Sequence, residues 1–201
     1  MQMNILIDTL PNFVTIDGKD YKIDTDFRKS IQFEILVQES EKSSKDRVEK
    51  ALNLFLDKNI PTNVEKAIEK ILWFYSCGKL KQNATSNTEN NSFHTRVYSF
   101  NHDSTAIYSA FWQQYKIDLT TAKLHWWQFK ALFEGLSEDC LIVKIMQYRG
   151  MKITSDMPKS QQKRIRELKH IYALPVTQQE QSRIDEIDKI LMGDGDLTGI
   201  L

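Results

Sequence analysis

At 201 residues, 41% hydrophobic and 27% charged, the chain has the make-up of one folded domain with a short appendage, not of a disordered or fibrous polypeptide. Its 27 Lys and Arg cancel its 27 Asp and Glu, so no general field draws it to nucleic acid or to an anionic membrane. No run approaches the ~20 apolar residues of a membrane span, and the opening MQMNILIDTLPNF lacks the basic start of a signal peptide.

Val14-Thr15-Ile16 and Lys19-Asp20-Tyr21-Lys22-Ile23 flank Asp17-Gly18, a pair that tolerates the positive φ angles of a type I′ turn. Alternation predicts a β-hairpin with Val14, Ile16, Tyr21 and Ile23 on one face, which must lie against helices because a lone hairpin is marginal in water. The period then becomes helical. Asp24 or Thr25 caps a helix with the stripe Phe27, Ile31, Ile35 and Leu36. After the polar run SEKSSKDR, a second helix carries Val48, Ala51, Leu52, Phe55 and Leu56 and stops at Asn59 and Pro61. Thr62 with Glu65 fits a capping box for a third, which runs through Ala67, Ile68, Ile71, Leu72 and Tyr75 to Gly78 at C′.

The stretch 79–96 is polar, rich in Asn, Ser and Thr, and reads as a mobile surface loop. Beyond it lies an aromatic-dense block. Tyr108, Phe111, Trp112 and Tyr115 recur at helical spacing, with Asp103 or Ser104 as the cap. Thr120 or Thr121 caps a helix that is apolar nearly all round (Leu124, Trp126, Trp127, Phe129, Leu132, Phe133, Leu136), as a central buried helix is, with Gly135 closing it. Ser137 or Glu138 opens another, with Leu141, Ile142, Ile145 and Met146 inward, that ends near Tyr148-Arg149-Gly150. Pro158 introduces a basic helix that stops before Pro175. The expected fold is therefore mainly α, a compact multi-helix domain over 1–176 with a short N-terminal β-hairpin. Residues 177–201 form an acidic amphipathic tail with Ile184, Ile187 and Leu191 on one face, too short to hold itself helical in water.

Chemistry-bearing patterns are hard to find. His94, His102, His125 and His170 make no HxxxH or HExxH pattern, and Cys77 and Cys140 stand far apart without metal-ligand spacing. His125, beside two tryptophans, reads as a satisfied core histidine, and Asp118 as the anchor of a turn. There is no GxGxxG, P-loop or GxSxG. No catalytic, cofactor-binding or metal-ligating residue is expected, and the two thiols are expected to be reduced. Lys159, Lys163, Arg164, Arg166 and Lys169 admit a nucleic-acid reading. A solvated face on a helix with Ile165, Leu168 and Tyr172 inward is the simpler one. Most of the aromatic rings should be core. The residues left as candidate partner contacts are Tyr108, Trp112 and Tyr115 on the aromatic helix and Ile184, Ile187 and Leu191 on the tail.

Several stretches read as a set. The densest is Tyr98-Ser99-Phe100, Asp103, Ile107-Tyr108, Phe111, Tyr115, Ile117-Asp118-Leu119 and Leu124-His125-Trp126-Trp127, with Phe129, Leu132 and Leu136 behind. Tyr75-Ser76-Cys77-Gly78-Lys79, Met146 with Tyr148-Arg149, and Lys169 with Tyr172-Ala173-Leu174-Pro175 extend it, and the hairpin with Asp24-Thr25-Asp26-Phe27-Arg28 opens it. Together they resemble the bacteriophage gene-product-fifteen family from Leu10 to Pro175. Asn101-His102 departs from the more acidic or aromatic pair expected there.

The resemblance implies a non-catalytic protein encoded among the tail genes of long-tailed phages and prophages of Gram-positive hosts. By analogy of position it implies a tail assembly chaperone in the host cytoplasm. Such a factor keeps the helical tape-measure protein soluble and helps recruit tail-tube subunits, with no cofactor and no membrane. The rival expectation is a structural virion component such as a tail completion or connector protein. A weaker one is a nucleic-acid-binding regulator. Homo-oligomerisation is left open.

Overall fold

A computed structural model of the chain describes residues 3–39, 44–56, 60–79 and 96–175. The predicted tail, with Ile184, Ile187 and Leu191, and most of the predicted 79–96 loop lie outside these residues. Strands β1 (Phe13–Ile16) and β2 (Lys19–Lys22) pair antiparallel, Val14 opposite Tyr21 and Ile16 opposite Lys19. Asp17 and Gly18 adopt φ of 50° and 77°, the two positive angles that match a hairpin turn to the strand twist. Val14, Ile16 and Ile23 are buried and Tyr21 is half-buried.

Seven helices follow among the described residues: α1 (Phe27–Glu39), α2 (Ser44–Leu56), α3 (Val64–Tyr75), α4 (Ser104–Tyr115), α5 (Trp126–Glu134), α6 (Leu141–Gly150) and α7 (Lys159–Ile171). The mainly-α fold with one hairpin is the one expected. The hairpin rests on α3, and its turn is tied there: Lys66 Nζ lies 2.5 Å from Asp17 Oδ1 and the Asn63 amide donates to Asp17 Oδ2 at 3.1 Å. Helix α1 packs on α2 and α5, α2 on α3, and α6 bridges α4 to α7.

The helix starts differ from the predicted ones by a residue or more. At α3 the N-cap is Asn63, not Thr62, and its side chain accepts from Lys66 N at 3.2 Å. At α5 the cap is His125, not Thr120 or Thr121: Nδ1 accepts from Trp127 N at 3.1 Å, and Gln128 Oε1 accepts from His125 N at 3.1 Å. The threonines belong instead to a turn organised by Asp118, whose carboxylate accepts from Thr120 N and Oγ1. At α1, Asp24 Oδ1 accepts from Asp26 N, and Asp26 Oδ1 accepts from Arg28 N. The most buried positions of α1 are Phe27, Ser30, Phe33 and Glu34, so its inner face takes in two polar residues the apolar stripe did not include.

The end of α3 also differs. Ser76 is the C-cap and Cys77, at φ 56°, occupies the left-handed C′ position predicted for Gly78. Gly78 follows at φ 72° and donates to Trp73 O at 2.9 Å, while Cys77 N donates to Phe74 O at 3.0 Å, completing a Schellman end. Only glycine suits Gly78, because a Cβ there would meet Trp127 at 3.1 Å. Two carbonyls of this end also receive donors from α5: Trp126 Nε1 donates to Tyr75 O and Trp127 Nε1 adds a second kind of donor to Phe74 O, each at 2.8 Å.

Phe129 is the hub of the core. It is fully buried, stacked against Phe27 at 4.8 Å on one side and against Phe111 at 5.0 Å on the other, with Trp126 and Phe133 also near-parallel to it. The predicted central helix is therefore α5. It is sutured to the start of α1 by Trp126 N donating to Thr25 O and Phe27 N donating to Leu124 O.

Candidate interaction surface

The residues that carry the resemblance meet one another in space. Arg28 Nη2 donates to Leu119 O at 2.7 Å, the 24–28 word touches the 124–127 word, and the 75–78 word receives both indoles. Asp103 and Arg149, both buried, form a bidentate ion pair at 2.6 and 2.9 Å. Arg149 also donates to Tyr172 O and Val97 O, Ser99 N donates to Asp103 Oδ2, and Lys169 Nζ donates to Arg149 O. One guanidinium thus fastens the entry to α4, the end of α6 and the end of α7. This pairing lay beyond sequence reasoning, which placed Asp103 as a helix cap and Arg149 at a helix end.

A second polar cluster surrounds Glu34. Its buried carboxylate accepts from the Tyr75 hydroxyl and from the Gln38 amide, and its charge also acts on the Tyr98 phenol. Burial first, and then the carboxylate charge, drive both phenol pKa values well above the ordinary tyrosine range, so both hydroxyls keep their protons. Arg96 adjoins this cluster, donating through Nη1 to Gln38 Oε1 at 3.3 Å and through Nη2 to Pro175 O at 3.0 Å.

Among the described residues no group of three His, Cys, Asp or Glu side chains is placed to hold a metal ion. His125 has both ring nitrogens engaged, Nδ1 as the cap and Nε2 with Pro11 O at 3.0 Å, and burial holds its pKa below the ordinary value. The histidine is satisfied as expected, though half-buried at the edge of the core and not inside it. Burial pushes the Cys77 thiol up to about 11, which keeps it protonated near neutrality. In α7, Ile165 is buried with Leu168 and Tyr172 half-buried, and Lys163 and Arg166 are exposed, the arrangement of a solvated basic face.

Among the described residues, these surface features bear on contact. Residues 4–8 form a closed turn in which Asp8 N donates to Asn4 O at 2.8 Å, Asn4 N to Asp8 Oδ2 at 2.7 Å and Leu6 N to Asn4 Oδ1 at 2.9 Å. This polar frame holds Leu6 and Ile7 outward, 88% and 81% exposed, with Ile5 beside them. Exposed aliphatic side chains in a braced turn are a contact surface in form. A groove of about 360 Å³ runs between α1 and α2, lined by Gln32, Leu36, Lys50, Asn53 and Leu54. On α4, Trp112 is half exposed.

The other two candidates on α4 are committed inside the fold. Tyr115 donates to Leu132 O at 2.9 Å and packs edge-on to Phe111, and half-buried Tyr108 donates to Asp118 at 3.4 Å. The Ile5–Ile7 turn had a legible signal, a short aliphatic run next to Asn and Asp, but sequence reasoning passed over it.

A family model described as bacteriophage Gp15 protein matches residues 6–174. Comparison with curated proteins and with solved structures gave no match. The chain belongs to the bacteriophage Gp15 protein family.

Proposed function

We propose that this Gp15-family chain is a non-catalytic tail assembly chaperone that works in the host cytoplasm. It binds apolar helical segments of the tape-measure protein and hands them to the growing tail tube. The family match over 6–174 carries the reading, since it supports a phage tail-region protein. The braced aliphatic turn at Ile5, Leu6 and Ile7 supports a role in contact, because large aliphatic groups held in water gain most by being covered. Buried catalytic geometry plays no part in this reading.

Co-expression with the tape-measure protein tests it. The expected result is a co-purifying complex and a rise in soluble tape measure, both lost when Leu6→Asp and Ile7→Asp are introduced together. Because both side chains project into solvent, the variant should keep its stability within about 0.5 kcal/mol. An unchanged yield of soluble tape measure, with no complex, refutes the reading. So does mass spectrometry of purified particles that finds the chain at fixed copy number, which favours a structural virion component.

A further inference from the structure

We propose that the outer face of α7 is a docking surface for an acidic helix of a protein partner. The charge of this neutral chain is not evenly spread. Between residues 151 and 175, six Lys and Arg stand against two Asp and Glu, a surplus of four positive charges that the rest of the chain balances. Helix α7 packs on α6, and Ile165 is its one buried side chain. Lys159, Lys163, Arg166 and His170 recur at i, i+4, i+7 and i+11, a row about 16 Å long turned away from Ile165. Ser160, Arg164, Glu167 and Ile171 repeat the spacing in a second row beside it, and all eight are exposed. Among the described residues Lys159, Arg164 and His170 have no ion-pair partner. Lys163 meets Glu167 at 3.9 Å with both side chains mostly in water, a pair that contributes little and exchanges readily.

The chemistry of the two rows selects the occupant. Cations one helical turn apart match carboxylates carried at the same spacing by a facing helix. A nucleic-acid backbone is anionic throughout, so it would meet Glu167 with repulsion in the middle of the face and leave Ile171, 67% exposed, uncovered. A protein helix can set a basic residue against Glu167 and an apolar one against Ile171, whose covering adds to the affinity. With no net charge the chain also lacks the long-range field that gathers a polyanion, so recognition depends on this short-range match. The proposal stands on α7 alone, apart from the tape-measure reading.

The full chain and a synthetic probe test it without any tape measure, so the outcome is separate from that reading. The probe is a fluorescently labelled helix-forming peptide of about 18 residues, with Glu at i, i+4, i+7 and i+11 and one Lys and one Leu on the neighbouring row. Fluorescence anisotropy at low ionic strength should show saturable binding. Lys163→Glu with Arg166→Glu should weaken it roughly tenfold, and Ile171→Ser about fivefold. Lys22→Glu with Lys123→Glu changes the net charge equally at exposed positions outside α7 and should leave binding unchanged. A peptide of the same composition in scrambled order should bind roughly tenfold more weakly. No binding, or equal binding of the scrambled peptide, overturns the proposal. An equal loss in the Lys22 and Lys123 variant, or no loss in Ile171→Ser, reduces the contact to bulk charge and overturns it as well. A DNA duplex held more tightly than the peptide through Lys163 and Arg166 assigns the face to nucleic acid and likewise overturns it.

Discussion

Replacing Arg149 with Met tests the reading of the buried ion pair. The methionine keeps the apolar stem and removes four hydrogen bonds: to Asp103 Oδ2 at 2.6 Å, Asp103 Oδ1 at 2.9 Å, Tyr172 O at 2.6 Å and Val97 O at 3.0 Å. Asp103, 7% exposed, then keeps the Ser99 N–H but no cation. Leaving a buried charge unpaired costs about 3–5 kcal/mol, more than the pair itself contributes over an apolar substitute. For a chain of this size that corresponds to a fall in Tm of roughly 6–20 °C. Urea titration followed by near-ultraviolet dichroism measures the loss directly. Asp103→Asn in the Arg149→Met background should recover part of it, with a coupling of about 2 kcal/mol in the double-mutant cycle. A loss below about 1 kcal/mol for Arg149→Met, or strict additivity with Asp103→Asn, would falsify the claim that this pair is the joint between α4, α6 and α7.

Three further outcomes are expected. Because burial depresses the His125 pKa from 6.5, the unfolded state takes up protons first as pH falls. Stability should therefore be complete above pH ~6.5 and decline below it, and the urea midpoint of His125→Asn, which keeps a capping side chain, should lose that dependence. Gly78→Ala places a Cβ at positive φ against Trp127 and should cost about 1–3 kcal/mol, read as a lower Tm. With its pKa raised to about 11, Cys77 should react with Ellman's reagent at pH 8 far more slowly than a small-molecule thiol, and fast reaction should return in urea.

Much of the fold follows from local rules visible along the chain. Asp17-Gly18 between alternating residues specifies the hairpin, and the aromatic spacing from Trp126 to Phe133 specifies a helix buried on most sides. Local rules erred where two residues compete for one role. Thr62 and Asn63 are both competent caps, and the choice falls to Asn63, which also donates to Asp17 in the hairpin turn. His125 is an uncommon cap and was passed over for the threonines, because its competence depends on Pro11, far away in sequence. Glu34 on an inner helix face looks like an error until Tyr75 and Gln38 supply its donors. The ion pair between Asp103 and Arg149 depends on tertiary proximity, and no periodicity encodes it. Of the contact surface, the Leu6 and Ile7 turn was readable in principle, but nothing local says that its aliphatics stay outside.

The end of α3 has a consequence for how the molecule opens. A helix normally finishes with four carbonyls that need partners from outside its own ladder. Here Leu72 O and Trp73 O are met locally by Ser76 N and Gly78 N, whereas Tyr75 O and Phe74 O receive the indoles of Trp126 and Trp127. If α5 withdrew, Tyr75 O would lose its indole donor and Phe74 O would keep only local donors, while Phe129 would leave its stacks with Phe27 and Phe111. The last turn of α3 and the first turn of α5 therefore melt as one unit, although about fifty residues of chain separate them. Pulling α3 away from α5 therefore means breaking this shared seam, whatever state α4 is in between them.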